Sequence, residues 1–277
     1  THVTGLYEQI LNELGVDYVI RGEGERAIAT LLRYLEGRVK KKDIPGLAYK
    51  QDGFIRINDI DHLWNLNEMP DPAYDIFQKE LYANARFHTA CVRGSYLIDY
   101  VFSRGCPNNC SFCMATKVHG PVNRTFSLDR IRGQFREIKV LGYDEILLED
   151  DDVFINKDIS LRVFEELNKL GFHWSILNGV NSAKLTPDFV EAIASFGCDR
   201  IYYPVESINF SIIEPHKTFW RKFRAKLNNT PHFIRMLIEA GVETFGGFMI
   251  GFPGETREQI HKTIESVSYT HLTLPTN

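Results

Sequence analysis

A repeating alternation of short apolar stretches and amphipathic stretches constrains the fold more than any other feature of this sequence. Each apolar stretch has the length of a strand and is followed by a helical pattern; the stretches are 97–103, 144–149, 173–178, 200–206 and 243–250. Consecutive strand–helix units pair their strands in parallel, through right-handed crossovers. The alternation predicts an α/β fold with about five βα units. A doubly wound sheet and a curved partial barrel both fit the periodicity.

Signals for helix starts support this reading of the pattern. The first helix is predicted over 127–141, where apolar residues recur three or four positions apart on one face. Thr-Pro-Asp at 186–188 supplies a cap residue, a proline at the first helical position and an acid in the first turn. Thr-Pro at 230–231 opens another helix in the same way.

The region before these units is organised differently. Helical patterns at 5–14 and 25–37 flank a short apolar strand at 16–20, and residues 44–58 alternate around Asp52-Gly53, which is a hairpin signal. We therefore divide the chain into four segments: 1–40, a small α/β remnant; 41–92, a hairpin and connector; 93–267, the βα units; and 268–277, a tail.

The tail loses the helical periodicity of the residues before it and contains no Asp, Glu, Lys or Arg. We expect 268–277 to be an artefactual or non-native extension, so it is set apart from the fold. A genuine strand is the alternative.

Composition narrows the class of protein. Of the 277 residues, 44% are apolar and 25% are charged, which is ordinary for a soluble globular domain and excludes disordered, collagen-like and coiled-coil chains. We find neither the roughly 20 apolar residues of a membrane span nor a secretory signal pattern. The 32 Lys and Arg against 36 Asp and Glu leave a net charge of −4, which disfavours a nucleic-acid partner. We expect a cytoplasmic protein.

Three of the five cysteines, Cys106, Cys110 and Cys113, lie within eight residues directly after a predicted strand. An odd number of cysteines in a chain of this length does not suggest a disulfide framework, so the spacing C-x3-C-x2-C indicates a metal site. A zinc site needs a fourth ligand, for which His119 is the nearby candidate. An iron–sulfur cluster can instead be held by three thiolates, with one iron left open. Cysteines that only pack are the third alternative.

The motif CPNNCSFC resembles the cluster motif of the radical S-adenosylmethionine (SAM) superfamily, with Phe112 at its aromatic position. Further stretches resemble, in order and spacing, the subgroup that carries an N-terminal cobalamin-binding domain: EDDD at 149–152, ILNGV at 176–180, GCDRIYYPVES at 197–207 and GFMIGFPGET at 247–256. At the start of the chain, THVT and VDYVIRGEGE look like the closing stretch of that domain. The resemblance implies a partial (βα)6-type radical SAM barrel after the remnant of a Rossmann-like domain.

In this family, the cluster is a [4Fe–4S] centre whose open iron is chelated by the amino and carboxylate groups of SAM. The resemblance implies that Cys106, Cys110 and Cys113 ligate the cluster, and that Phe112 lies against the adenine. Reductive cleavage of SAM then starts radical chemistry on an unactivated carbon.

The remaining expected SAM contacts lie at the carboxyl ends of the strands, where α/β ligand sites form. Glu149, Asp150 and Asp151 suit the ammonium group of SAM, although Gly-Gly-Glu is commoner there in the family. The amide of Asn178 suits the carboxylate or the ribose, with an Asn-Gly turn as the alternative. Glu206 suits the ribose hydroxyls.

Two glycines complete the expected SAM site. Gly247 and Gly251 lie in a glycine-rich strand end, and glycines weaken a strand unless another group approaches its backbone closely. In the family, this backbone meets the adenine. Arg104 and Lys217 are open between pairing with the SAM carboxylate or the acids and a surface position.

The resemblance implies an enzyme whose longer parent is cobalamin-dependent and catalyses methyl transfer or oxidative cyclisation on a small molecule. It also implies an electron donor such as flavodoxin or ferredoxin. The alternatives are a cobalamin-independent radical SAM enzyme, a non-catalytic iron–sulfur or zinc-binding module, and an enzyme that modifies nucleic acid. His2 lies where the family has Gly-Gly-x-His near cobalamin, without the two glycines, and most of a cobalamin domain lies outside this sequence.

Overall fold

The computed structural model describes residues 2–62, 64–82, 93–178, 180–181, 184–217 and 230–270. The chain forms two compact units. The N-terminal unit comprises Thr1–Pro72 and Ser103–Ser127, and the sheet unit comprises Ala73–Phe102 and Leu128–Asn277. Residues 103–127, which lie within the predicted segment 93–267, group with the N-terminal unit.

The helices of the described residues are α1 (His2–Glu13), α2 (Gly24–Leu35), α3 (Lys79–Tyr82), α4 (Ala115–His119), α5 (Leu128–Val140), α6 (Lys157–Lys169), α7 (Pro187–Ser195), α8 (Phe210–Ile213), α9 (Thr230–Glu239) and α10 (Arg257–Thr270). The strands are β1 (Tyr18–Ile20), β2 (Leu47–Gln51), β3 (Phe54–Ile57), β4 (Leu97–Tyr100), β5 (Ser103–Arg104), β6 (Arg124–Thr125), β7 (Glu145–Leu148), β8 (His173–Ile176), β9 (Cys198–Glu206) and β10 (Glu243–Phe248).

The sheet unit is built on a parallel five-stranded sheet in the order β10-β9-β8-β7-β4. Strands of this sheet that are consecutive along the chain are therefore neighbours in space. A doubly wound sheet reverses its strand order at a switch point, whereas a barrel adds each strand on the same side. The order confirms the α/β prediction and selects the partial barrel over the doubly wound sheet.

Burial of both strands and helices explains why these elements form. All four residues of β7 are buried, as expected for a parallel strand that is covered on both faces. Helix α5 buries Ile131, Phe135 and Ile138, the face that the spacing of apolar residues predicts. The Phe135 ring lies 4.9 Å from the ring of Tyr100 in β4, so this face packs against the sheet.

The N-terminal unit contains an antiparallel sheet in the order β1-β2-β3. The predicted hairpin is confirmed, since β2 and β3 are joined by Asp52 and Gly53, which both have positive φ (52° and 79°). This backbone twist matches that of the paired strands. A small core of Ile10, Leu11, Val19 and Ala48 lies between α1 and this sheet.

Several boundaries differ from the prediction. The strand predicted over 97–103 ends at Tyr100, and Ser103-Arg104 forms a separate two-stranded sheet with β6. Helix α10 continues to Thr270, inside the segment predicted as a tail, and 271–277 lie outside the described residues. In the part of the chain that the structure describes, no helix is both long and apolar enough to cross a membrane.

Candidate functional site

The three clustered cysteines lie on a loop whose ends are tied together. Strands β5 and β6 pair at its base, and the N–H of Cys106 donates to the carbonyl oxygen of Gly120 at 3.1 Å. Gly105 has φ +95°, and a Cβ atom there would overlap the carbonyl oxygen of Val122. Only glycine permits this close approach of two backbone segments, so the sequence closes the loop locally. We call residues 103–127 the cysteine loop.

Successive tight turns carry the cysteines around this loop. The N–H of Cys110 donates to the oxygen of Asn108 at 2.7 Å, and the N–H of Cys113 donates to the oxygen of Cys110 at 3.1 Å. Cys106 is buried, Cys110 is half-buried and Cys113 is exposed. The sulfur of Cys113 accepts a hydrogen bond from the N–H of Ala115 at 3.5 Å.

This donor set fits an iron–sulfur cluster. Three thiols on one short loop are soft ligands, which suit iron–sulfur clusters and zinc and do not suit magnesium or calcium. Within the described ranges, no three Cys, His, Asp or Glu side chains are already arranged to hold a metal ion. Cys91, the remaining cysteine near this region, lies outside the described residues.

The four acids after β7 are divided by burial. Asp150 and Asp152 are buried, whereas Glu149 and Asp151 are partly exposed. The Asp150 carboxylate accepts the N–H of Phe102, with distances of 3.2 and 3.4 Å to its two oxygens. Asp150 thereby fixes the chain where it leaves β4. Glu149 and Asp151 are the two acids of this group with side chains accessible to a ligand.

Asn178 lies beside this acidic turn. Its side-chain amide donates to the carbonyl oxygens of Glu149 and Asp150, at 3.1 and 3.2 Å. The structure thus brings three of the predicted site residues together at the carboxyl ends of β7 and β8. Gly179, which follows Asn178, lies outside the described residues.

Glu206 ends β9 in an unusual backbone conformation, with φ +65° in a residue that is not glycine. Its carboxylate lies 3.1 Å from the ammonium group of Lys217, and both side chains are largely buried. Its carbonyl oxygen accepts the N–H of Met249 at 2.7 Å, which links β9 to the end of β10. The structure thus pairs Lys217 with an acid.

The two predicted glycines have reasons within the protein for lacking a side chain. A Cβ atom at Gly247 would overlap the hydroxyl group and ring of Tyr202 on the neighbouring strand. Gly251 has φ +94°, and its N–H donates to a Glu255 carboxylate oxygen at 2.8 Å. Tyr202 is a residue that sequence reasoning missed, because nothing in its own pattern indicates that its ring covers the next strand.

Phe112, the aromatic residue between two of the cysteines in the sequence, is exposed, with a relative accessibility of 37%. An aromatic ring has a flat apolar face on which another ring can stack. The cysteine loop belongs to the N-terminal unit, and the strand-end residues belong to the sheet unit.

A sequential parallel βα sheet together with a three-cysteine loop defines a class of α/β proteins with an iron–sulfur motif. Residues 100–267 match the family model of the radical SAM superfamily. The chain belongs to that superfamily, whose enzymes use a [4Fe–4S] cluster and SAM. This confirms the family, the enzyme class and these two cofactors predicted from the sequence.

Individual relatives agree with this assignment. The chain is 31% identical over 294 residues to an uncharacterized methyltransferase of Pyrococcus horikoshii, covering 99% of this chain and 59% of the relative. It is 26% identical to the anaerobic magnesium-protoporphyrin IX monomethyl ester cyclase of Rubrivivax gelatinosus, covering 95% of this chain and 46% of that enzyme. The chain thus spans about half the length of the curated relatives it matches.

The fold resembles that of a solved enzyme structure. The radical SAM methyltransferase TsrM from Kitasatospora setae, with tryptophan and a SAM analogue bound, superposes with a TM-score of 0.74 at 16% sequence identity. The match covers 96% of this chain and 52% of that protein. At this identity the likeness concerns the fold, and it includes the N-terminal unit because nearly all of the chain is covered.

Proposed function

We propose that this chain is the core of a radical SAM enzyme in which Cys106, Cys110 and Cys113 hold the [4Fe–4S] cluster. The observation that carries the proposal is the closed cysteine loop, which presents three thiols within eight residues in a chain of this superfamily. When bound, the cluster and SAM supply reductive cleavage of the sulfonium bond. The protein binds and orients SAM and excludes competing reactions.

In this proposal, the residues at the strand ends bind different groups of SAM. Glu149 and Asp151, which are partly exposed, attract the ammonium group, whereas Asp150 fixes the backbone beneath them. The amide of Asn178 orders this turn and leaves its carbonyl end for a ligand hydroxyl. Glu206 accepts the ribose hydroxyls.

The remaining expected contacts are to the adenine. The backbone at Gly247 and Gly251 lies along one side of the ring in this proposal. Phe112 supplies an apolar surface from the cysteine loop.

For the longer parent protein, we propose methyl transfer or oxidative cyclisation on a small-molecule substrate, with cobalamin as a further cofactor. Similarity to a methyltransferase and to the cyclase over nearly the whole chain supports this pair of reactions. In this proposal, residues 1–40 close a cobalamin-binding domain, 41–92 connect the two parts, and 93–267 form the radical SAM core. Flavodoxin or ferredoxin supplies the electron in the cytoplasm.

The test is anaerobic reconstitution of the chain with iron and sulfide, followed by reduction and addition of SAM. We expect 5′-deoxyadenosine by chromatography and a low-temperature EPR signal that SAM perturbs. Cys110→Ala should lose both. Cys198→Ala is the matched control, since Cys198 is buried in β9, where burial raises the pKa of its thiol. Zinc without a cluster, or wild-type iron and sulfide in Cys110→Ala, would contradict the proposal.

A further inference from the structure

Two arginines face each other at the base of the cysteine loop. Strands β5 and β6 pair with Arg104 directly opposite Arg124, and the two side chains are only 17% and 10% exposed. Like charges at directly opposite positions destabilise a strand pair, and the repulsion grows as water is excluded. The base of the loop therefore requires a buried negative charge.

Glu23 supplies that charge from outside the loop. Its side chain is 2% exposed, and Arg124 binds it with two bonds, Nη2 to Oε1 at 2.6 Å and Nη1 to Oε2 at 3.1 Å. Arg104 Nη1 lies 3.6 Å from the same Oε1. The indole N–H of Trp64 donates to Oε2. Bidentate pairing of this kind fixes geometry as well as charge.

The same network continues to the backbone of the first cysteine. Arg124 Nη2 also donates to the carbonyl oxygen of His119 at 2.9 Å. The next carbonyl, that of Gly120, accepts the N–H of Cys106 at 3.1 Å. Glu23 directly precedes α2 but makes no capping hydrogen bond to that helix, so its carboxylate is directed to the loop.

We propose that Glu23 is the positioning residue of the cysteine loop. It binds Arg124 at 2.6 Å and lies 3.6 Å from Arg104, whose shorter ion pair is with Glu25. Glu23 thereby places one buried charge between the two arginines and holds the two ends of the loop at the separation that lets the three thiols converge on one cluster. A residue outside the loop, in the segment that leads into α2, thereby sets the geometry of cluster binding. This inference rests on the proposed function of the cysteines.

Hydrogen exchange of the metal-free chain tests the positioning role without a cluster. Glu23→Gln keeps the shape of the side chain and removes its charge. We expect amide exchange in 103–127 to become about tenfold faster while exchange in the sheet unit is unchanged. Glu25→Gln is the matched control: Glu25 pairs with Arg104 at 2.8 Å, but its side chain is 37% exposed. It should leave exchange in the loop nearly unchanged.

A double variant tests whether Glu23 acts through the arginines. On anaerobic reconstitution, Glu23→Gln should bind less iron and sulfide per chain and shift the EPR signal of the reduced cluster. If the cause is repulsion between Arg104 and Arg124, Arg124→Gln in the Glu23→Gln background should restore part of the iron content and of the signal. If the double variant loses as much iron and signal as the two single variants together, repulsion between the arginines is not the cause.

The outcomes separate this inference from the proposed function. Suppose that the wild-type chain assembles the cluster and that Glu23→Gln equals it in hydrogen exchange, iron content and EPR signal. That result would overturn the positioning role of Glu23 and leave the proposed function standing. A wild-type chain that takes up no iron and sulfide would overturn the proposed function. In that case, unchanged exchange in Glu23→Gln would also reject the positioning role, and faster exchange confined to 103–127 would support it.

Discussion

At the scale of single residues, the fully buried ion pair between Glu145 in β7 and Arg200 in β9 joins strands that are separated by β8. The second oxygen of Glu145 accepts the N–H groups of Arg93 and Gly94, at 2.9 and 2.8 Å. One carboxylate therefore fixes both the sheet and the approach to β4.

Removing one partner of this pair should be strongly destabilising, because it leaves an uncompensated charge in the interior. We expect Arg200→Leu to lower the free energy of unfolding by about 3–5 kcal/mol, measured by urea titration. The exposed pair of Arg26 and Asp61 is the control, and Arg26→Leu should change stability by less than about 1 kcal/mol. Similar losses of unfolding free energy in the two variants would show that burial does not determine the cost of removing an ion-pair partner.

Asp152 illustrates how position changes the chemistry of neighbouring acids. Burial raises the pKa of its carboxyl group, and nearby Lys184 opposes part of that effect. One carboxylate oxygen accepts the N–H groups of Phe154 and Asn181, at 3.0 and 3.4 Å. The protonated form of this acid is therefore favoured more in the folded chain than in the unfolded chain.

A raised pKa in the folded chain gives stability a defined dependence on pH. The contribution of Asp152 is fully present below its unfolded pKa of about 3.9 and is lost as pH rises through the higher folded value. Asp152→Asn keeps the accepting oxygen and cannot ionise. We expect the stability of wild type relative to this variant to fall as pH rises from about 3.5 to 7, measured by thermal unfolding. A constant difference would contradict the assignment.

At the scale of elements, glycine determines whether the cysteine loop can close. Gly105 combines a positive φ with a backbone contact that excludes any Cβ atom, whereas Gly133 in α5 has nothing within 4 Å of the position a Cβ would take. The same substitution should therefore have opposite effects at the two positions.

Gly105→Ala should destabilise the chain by about 1–3 kcal/mol and reduce cluster uptake, because the loop end must shift. Gly133→Ala should stabilise it by about 0.5–1 kcal/mol, since alanine is the better helix former. Thermal unfolding and iron content after reconstitution measure both effects. Normal iron uptake by Gly105→Ala would show that closure of the loop is not required for cluster binding.

Local patterns were enough to predict these elements but not all of their contacts. The hairpin at Asp52-Gly53 and the buried face of α5 follow from spacing, since turn chemistry and helical periodicity act over a few residues. The pairing of Glu206 with Lys217 depends on how the chain returns after β9. This pairing is therefore seen only in the structure and not in the sequence pattern.

At the scale of the whole molecule, the sequence predicted five parallel strands, and the order in space decided between two architectures. The strand and helix periods are the same in a doubly wound sheet and in a barrel. The choice between the two architectures depends on the side of the sheet on which each crossover helix packs. The spacing of apolar residues does not indicate that side. Periodicity does not indicate where the cysteine loop lies, because that loop is held by the ion pair between Arg124 and Glu23, which are distant in sequence.

In the described part of the chain, β10 forms an edge of the large sheet, and Phe245 on this strand is 38% exposed. Exposed apolar edge strands pair with other chains, and a lysine there opposes pairing. We expect Phe245→Lys to slow aggregation on warming by a few fold, followed by light scattering. Val140→Lys is the control: Val140 is 87% exposed but lies at the end of α5. If both substitutions slow aggregation equally, the added net charge and not the position on the edge strand explains the effect.

The sequential order of the large sheet also bears on how the chain is made. Because β7, β8, β9 and β10 each pair with the strand that precedes them in the sheet, every new strand finds its partner already synthesised. The sheet unit is therefore suited to vectorial folding, in which each βα unit docks as it leaves the ribosome.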